Sequence, residues 1–189
     1  MKNNRYFELY EKYKRDVNFV FDEESNGLTG VDLREGKIYN FEEPVRYTVD
    51  KLDSYIDSYD ILPTIGGILV SEKLKKQFND LSNKDLSFFP SIIYDEKGNS
   101  NNNFYFVSIL NIVSCMDIEK SVIEKTRYGT TKIKKLIFKP NCLGEHLIVR
   151  MKEHDSYIIV SEEFKKRCED SKLKGVEFIE EGDSIYTNI

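Results

Sequence analysis

The two histidines of the chain, His146 and His154, are the first residues whose type and spacing could do chemistry. With Cys142 they form the pattern C-x3-H-x7-H, which offers three ligands that zinc prefers. Asp155 or Glu145 could complete a ligand set, but the spacing matches no standard zinc motif. We therefore expect no metal and no cofactor. The histidines are interpreted as solvated residues beside a strand, near its ends.

Three cysteines, Cys115, Cys142 and Cys168, lie far apart in the sequence. An odd number at wide spacing argues against a disulfide framework and is typical of a reducing compartment. A Cys–His nucleophilic pair could be assembled from them, but no local sequence supports one. Cys115 and Cys168 lie in apolar patterns of the kind that bury a free thiol.

Asp117 and Glu119 are carboxylates two residues apart, which could do acid–base chemistry if the chain is extended there. We favour a cap by Asp117 and a solvated Glu119 beside Lys120. The basic segment, Lys120–Lys139, has seven basic residues against one acidic residue and could hold nucleic-acid phosphates. It contains too few aromatic residues for a base-stacking platform, so lysines on an exposed strand are the favoured interpretation.

The length of 189 residues allows one ordinary domain or two small ones that share a core, and the 40% hydrophobic and 13% aromatic residues indicate a packed fold. The net charge of −5 makes the chain a poor general binder of nucleic acid or anionic membranes and suits a cationic protein partner better. Its start is charged and lacks the apolar stretch of a secretory signal. The most apolar stretch, 104–116, is too short for a membrane helix. We expect a cytoplasmic protein.

Periodicity predicts an α+β fold with a mostly antiparallel sheet and a few helices. The apolar positions of Leu74, Phe78 and Leu81 predict a helix over 72–82, and a second helix is expected over 162–171. The acidic segment 42–60 is compatible with helix or loop. Residues 95–103, with a central glycine, predict a hairpin tip. Strands are expected at 6–10, 17–21, 36–41, 66–70, 88–89, 92–94, 104–110 and 132–138.

Residues 68–88 match residues 158–178 at nine positions, at a constant offset of 90. Each copy reads strand, serine, helix, strand, with Ser71 and Ser161 where helix N-caps are expected. A buried strand that leads into a capped amphipathic helix needs this pattern wherever it occurs, and we favour that explanation over a true duplication. The chain is predicted to be one unit, 1–189, whose sub-halves 1–98 and 104–189 meet near 99–103.

Six strings of residues, taken in order, resemble the family-eleven immunity proteins of bacterial polymorphic toxin systems. They are Asp60–Pro63, Val70–Leu74, Leu110–Ser121, Leu136–Pro140, Ile159–Phe164 and Leu173–Phe178. The resemblance covers roughly residues 60–180 and, more weakly, the strand Tyr6–Leu9. The most recognisable polar positions are Asn111, Asp117, Glu119, Lys120 and Ser121.

The resemblance implies a non-enzymatic bacterial protein that binds a cognate toxin domain and blocks it. The acidic segment could cover a cationic cleft of the toxin, since complementary charge speeds encounter and rejects wrong partners. Its acidic residues are Glu42, Glu43, Asp50, Asp53, Asp57 and Asp60. Two alternatives stay open: an enzyme that reverses the toxin's product, using the Asp117/Glu119 region or a Cys–His pair, and a nucleic-acid-binding module using residues 120–139.

Overall fold

A computed structural model of the protein describes residues 5–37, 39–125 and 131–183. The architecture is α+β, as predicted. The strands are β1 (Tyr6–Glu11), β2 (Phe19–Phe21), β3 (Val45–Val49), β4 (Ile61–Leu62), β5 (Thr64–Ile65), β6 (Leu69–Ser71), β7 (Leu86–Asp95), β8 (Ser100–Asn101), β9 (Phe104–Ile109), β10 (Ile112–Val113), β11 (Val122–Lys125), β12 (Thr131–Lys135), β13 (Ile148–Met151), β14 (Ile158–Ser161) and β15 (Val176–Glu180). The α-helices are α1 (Glu23–Asn26), α2 (Glu72–Gln77) and α3 (Glu162–Asp170), and turns of 3-10 helix lie at Asp32–Arg34, Ile56–Ser58 and Asn79–Leu81.

The first sheet, which we call the barrel sheet, runs β4-β6-β9-β7-β3-β2-β5, with β8 attached to β7. Its edge strands β4 and β5 are separated in the chain only by Pro63, so the sheet nearly closes on itself. Tyr47 and Phe106 lie in the cluster that fills its interior. Gly67 has a φ of +80°, and a Cβ there would lie 2.6 Å from the Tyr47 hydroxyl, so this position requires glycine.

The second sheet runs β10-β13-β14-β1-β15. A hydrophobic core joins it to the barrel sheet and to α2 and α3, with Phe7, Val107 and Phe164 among its buried members. A separate group of buried residues, which we call the outer cluster, contains Ile133 of β12 together with Tyr6 of β1 and residues from β13, β14 and the 136–143 segment. The β11–β12 hairpin therefore contributes to this cluster through β12.

The two large sheets are mixed, which corrects the expectation of a simply antiparallel system. Of the twelve strand pairings described, β2–β5, β3–β7 and β10–β13 are parallel and the others are antiparallel. β1 belongs to the second sheet, although it opens the chain. The β7–β9 hairpin, with residues 99–103 at its tip, lies wholly within the barrel sheet. The predicted division near 99–103 therefore does not coincide with the boundary between the sheets.

Three local predictions are wrong. The strand expected at 36–41 is absent from its described residues, 36–37 and 39–41. The segment 42–60 contains β3, because Val45, Tyr47 and Val49 alternate in burial with exposed neighbours at period two. The helix expected over 72–82 ends at Gln77 and continues only as a 3-10 turn. Residues 126–130 of the basic segment, and residue 38, lie outside the described residues.

The two repeated units have the same architecture. Ser71 and Ser161 are the N-caps of α2 and α3, and each side chain accepts a hydrogen bond from the backbone N–H three residues later, with O···N distances of 3.2 Å. In each unit the two repeated strands flank a third strand that is antiparallel to both. β9 lies between β6 and β7, and β1 lies between β14 and β15.

The register of the central strand is also shared between the units. Counterparts on the two central strands are 98 residues apart. Ser71 pairs with Phe104 and Ser161 with Tyr6. In the same way, Phe88 pairs with Val107 and Phe178 with Leu9. The ammonium of Lys75 lies 3.8 Å from the Tyr105 ring centroid, and that of its counterpart Lys165 lies 4.2 Å from the Phe7 ring centroid. The need for a capped helix after a buried strand explains the repeated sequence pattern, but it does not explain why β9 and β1 pair in the same register in their units. This correspondence therefore favours an internal duplication.

Candidate functional site

The polar family-motif residues at 117–121 form a hydrogen-bonded turn. The Asp117 carboxylate accepts from the Lys120 ammonium at 2.8 Å, and this hydrogen bond lowers the pKa of Asp117. The Asp117 N–H donates to the Ile137 carbonyl at 2.8 Å, and the Ser121 hydroxyl accepts from the Ile137 N–H at 3.0 Å. Glu119 is exposed. Asp117 also accepts from the Lys120 N–H at 3.3 Å, so its carboxylate is engaged by its own turn.

Asn111, the remaining family-motif residue, contacts a buried aspartate that the sequence does not single out. The Asn111 side-chain amide donates to Asp85 Oδ1 at 3.1 Å. Asp85 has no exposed surface and also accepts from the Leu147 N–H at 3.0 Å. His146 Nδ1 lies 2.7 Å from the same carboxylate. Asp85 thus connects the start of β7 with the approach to β13, which gives these polar groups a role in joining the two sheets.

The C-x3-H-x7-H pattern does not converge on one point. His146 contacts Asp85, His154 Nδ1 lies 2.7 Å from the Ser156 hydroxyl, and Cys142 packs against the outer cluster beside Cys115. Within residues 5–37, 39–125 and 131–183, no group of three or more His, Cys, Asp or Glu side chains could hold a metal ion. The expectation of solvated histidines is wrong for His146, whose side chain is 32% exposed and hydrogen-bonded.

Asp60, predicted as a partner-facing residue, is instead 7% exposed and holds three chain segments together. Its carboxylate accepts from the Ser71 hydroxyl at 2.6 Å and from the Lys174 N–H at 2.8 Å. A Cβ on Gly175, whose φ is +87°, would lie 2.5 Å from the Ile61 carbonyl oxygen. Three of the family strings therefore meet at Asp60, and their recognisable residues serve the fold.

The other acidic residues of 42–60 divide between the two ends of β3. Glu42 and Glu43 precede the strand and Asp50 follows it, which separates them by roughly 20 Å along an extended chain. Asp53 is half-buried and forms an ion pair with Arg15. The six residues therefore do not form one continuous acidic surface.

One end of the barrel sheet does gather acidic and aromatic side chains. β3 and β7 run parallel with Val49 beside Asp95, so the residues that follow them, Asp50 and Glu96, leave the sheet at the same end. Asp57 Oδ1 accepts from the side-chain amides of Asn101 at 2.9 Å and Asn103 at 3.0 Å, which holds the 50–58 loop against the hairpin tip. We call this surface the acidic end, after its exposed residues Asp50, Tyr55, Asp57 and Glu96. Two exposed lysines, Lys51 and Lys97, directly follow Asp50 and Glu96 in the chain.

Asp95 holds the two loops of the acidic end together through hydrogen bonds. Its carboxylate is 7% exposed and accepts hydrogen bonds from the Leu52 N–H, from the Lys97 N–H and from the backbone and side chain of Asn99. These bonds lower the pKa of Asp95, the side-chain bond from Asn99 having the largest effect. The sequence motif here predicts only a hairpin tip, yet the same residues fix the neighbouring loop.

A second exposed surface lies on β11. All four of its residues are exposed, including Val122 at 50% and Ile123 at 40%. Ile118, in the preceding turn, is 61% exposed. Three lysines of the basic segment are engaged with carboxylates, because Lys120 contacts Asp117, Lys134 contacts Glu124 and Lys139 contacts Glu153.

Two buried ionisable residues of the second sheet were missed by the sequence analysis. Glu8 of β1 is 7% exposed, and burial raises its pKa from 4.5 to about 7. Arg150 of β13 is 5% exposed, and its Nη1 donates to the Asp155 carbonyl at 2.5 Å. Within the described residues, Arg150 Nε has no hydrogen-bond partner. A charged residue in a strand does not by its type reveal which way it faces.

Comparison with known proteins places this α+β chain among immunity proteins. It matches the model of the immunity protein family Imm11 over residues 6–183, and it belongs to that family. The match includes residues 6–59, most of which the sequence strings left unassigned. A search of curated proteins finds no match. None of the helices described is long and apolar enough to cross a membrane.

Proposed function

We propose that this protein neutralises a bacterial toxin domain by binding it stoichiometrically, with the acidic end as the contact surface. Membership of the Imm11 immunity family carries the proposal. The structure supplies a surface of suitable type, because Tyr55 is 55% exposed in the loop that carries Asp50 and Asp57, with the Arg15 guanidinium 4.3 Å from its ring centroid. Tyrosine is enriched among residues that dominate binding energy. A cationic cleft in the toxin is the complementary partner surface.

The placement of the acidic residues supports this assignment within the 42–60 segment. Asp60 and Asp53 have structural partners, whereas Asp50 is exposed and its loop is held by Asp95. A surface whose loops are already fixed loses little conformational entropy on binding. The acidic end is therefore preorganised for a partner.

The polar groups that could serve an enzyme are engaged in the fold. Asp117 is bound by Lys120 and by its own turn, and Asp85 is bound by Asn111, His146 and the Leu147 N–H. These contacts favour a protein that blocks the toxin by binding to it over an enzyme that converts a small molecule.

The experiment begins with capture of the toxin from the native cells by tagged protein, followed by identification of the co-eluting domain by mass spectrometry. The purified domain is then mixed with this protein, and the mass of the complex is measured by light scattering. A complex with one copy of each chain is expected. Failure of the purified domain to bind would overturn the proposal.

The contact surface is tested with a charge-reversed variant, Asp50→Lys, Asp57→Lys and Glu96→Lys. A matched control carries Glu145→Lys, Glu163→Lys and Asp170→Lys, three exposed acidic residues outside the acidic end. Both variants change the net charge from −5 to +1. The first should weaken binding at least 100-fold and the control less than 5-fold, on the order expected for close charge pairs. Equal losses would contradict the acidic end as the contact surface.

A further inference from the structure

Cys115 and Cys142 are 27 positions apart in the chain, yet the fold brings both side chains to the same hydrophobic cluster. Cys115 is a fully buried member of the outer cluster, and Cys142 packs against that cluster while remaining partly exposed. Two backbone contacts bring the segments together. Met116 bridges Phe138, and the Lys139 N–H donates to the Cys115 carbonyl at 2.8 Å.

The groups around the pair make Cys142 the more reactive thiol. The hydrogen bond from the Cys115 thiol lowers the pKa of Cys142, and the same bond together with burial raises the pKa of Cys115. Glu153 faces the pair and accepts from the Cys115 N–H at 3.2 Å. Its charge is partly offset by the Lys139 ammonium, 3.6 Å from Glu153 Oε1. The thiolate is the nucleophilic form of cysteine, and its exposure governs access by oxidants.

We propose that Cys115 and Cys142 form an oxidation site that closes to a disulfide when the protein meets a peroxide. The Cys142 thiolate attacks one oxygen of hydrogen peroxide, which breaks the O–O bond, releases hydroxide and leaves a sulfenic acid on Cys142. The Cys115 sulfur then attacks the Cys142 sulfur, the S–O bond breaks, and the Cys115 proton leaves with the hydroxyl as water. The two thiols are oxidised by two electrons in total and the peroxide is reduced. A thiol reductant reverses the reaction.

The crosslink would close a loop that contains the 117–121 turn and both strands of the β11–β12 hairpin. A disulfide that closes a loop of about this length stabilises a protein mainly by constraining its unfolded chain. For a domain of this size the melting temperature should rise by roughly 5–10 °C. Oxidation would therefore stabilise the folded protein relative to its unfolded chain.

The test treats the folded full-length protein with a few equivalents of hydrogen peroxide, blocks remaining thiols with an alkylating reagent, and maps disulfides in a non-reducing digest. The wild type should fall from three free thiols to one, with a peptide that joins Cys115 to Cys142. Cys168→Ala is the matched control and should fall from two thiols to none. Cys142→Ser should keep both of its thiols and show no rise in melting temperature.

Any of three results overturns the proposal. They are a disulfide that includes Cys168, crosslinks only between molecules, and oxidation of Cys142 beyond sulfenic acid without a Cys115–Cys142 peptide. If Cys142→Ser does not fold, the mapped disulfide in wild type and in Cys168→Ala decides the question without it.

Discussion

Arg167 of α3 donates a hydrogen bond to the backbone carbonyl of Gln77 in α2, its own counterpart at the 90-residue offset. The guanidinium also donates to Asp80 Oδ2 at 2.9 Å and lies 4.7 Å from the centroid of the Phe78 ring. Phe78 stacks on Phe164 with centroids 4.1 Å apart and an interplanar angle of 13°. The two repeated units are therefore joined through their helices, and the stacked Phe78 and Phe164 belong to the core that joins the two large sheets.

The helix contact should account for a large part of the stability. Phe164 is 2% exposed, so Phe164→Ala should lower the free energy of unfolding by about 3–5 kcal/mol, through lost burial and the cavity left behind. Urea titration at neutral pH measures the loss. Tyr55→Ala, at a site that is 55% exposed, is the control and should cost less than about 1 kcal/mol. A loss below about 1 kcal/mol for Phe164→Ala would show that the stack is not central.

Substitutions of Asp60 and Asp57 should have different effects, although both residues lie in the acidic segment. Asp60 should matter for stability, and Asp57 for toxin binding. Asp60→Ala leaves the Ser71 hydroxyl and the Lys174 N–H without their acceptor, and should cost about 2–4 kcal/mol. Asp57→Ala removes an exposed acceptor of two side-chain amides and should cost less than about 1 kcal/mol. Urea titration gives the stabilities, and calorimetry gives toxin affinity. The account would be wrong if Asp57→Ala were the more destabilising change.

Glu8 should make stability fall as pH rises. Its pKa is about 7 in the folded protein, above its usual value of 4.5, because burial disfavours the charged form. The folded state therefore holds an extra proton between these values. The stabilising contribution is complete below pH 4.5 and is lost as pH rises through 7.

The isosteric change Glu8→Gln isolates this contribution. At pH 8 the variant should be more stable than wild type by about 2 kcal/mol, and the difference should shrink towards pH 5. Melting temperatures across this range provide the measurement. Glu177→Gln, at an exposed ion pair with Lys12, is the control and should show no such trend. A wild-type advantage at pH 8 would contradict the assignment.

Association with the toxin should depend on salt. If the acidic end faces a cationic cleft, the association rate constant should fall at least tenfold between about 0.02 and 0.5 M ionic strength, because salt screens exposed charges. Stopped-flow fluorescence measures this rate constant. The charge-reversed variant at Asp50, Asp57 and Glu96 should lose the dependence or invert it. A rate constant that does not change with salt would point to a largely apolar contact, such as the surface on β11.

Helix caps and turns, which depend on neighbouring residues, were predicted from the sequence. Contacts between residues far apart in the chain were not. Ser71 and Ser161 cap their helices because strand, serine and acidic first turn follow one another in the chain. The predicted hairpin around 95–103 forms for an equally local reason, since Asp95 and Gly98 make the turn. The strand β3 was missed because the acidic residues around it hid a short period-two pattern.

The roles of acidic and sulfur-containing residues depended on tertiary contacts. Asp60 and Asp50 are the same residue type in one segment, yet Asp50 is exposed, whereas Asp60 is buried and accepts from the backbone N–H of Lys174, 114 positions away. Cys115 was interpreted as a buried free thiol and Cys142 was considered as a metal ligand beside the histidines. Only the pairing of their segments brings the two cysteines to one cluster. A single sequence carries no local signal for such pairs.

The most direct test of stoichiometric neutralisation is a titration of the captured toxin domain's activity against increasing amounts of this protein. With the toxin concentration far above the dissociation constant, occupancy predicts a linear fall in activity to zero at one equivalent. Inhibition that is complete at a small fraction of an equivalent and grows with incubation time would contradict the account, because only catalytic turnover gives that result.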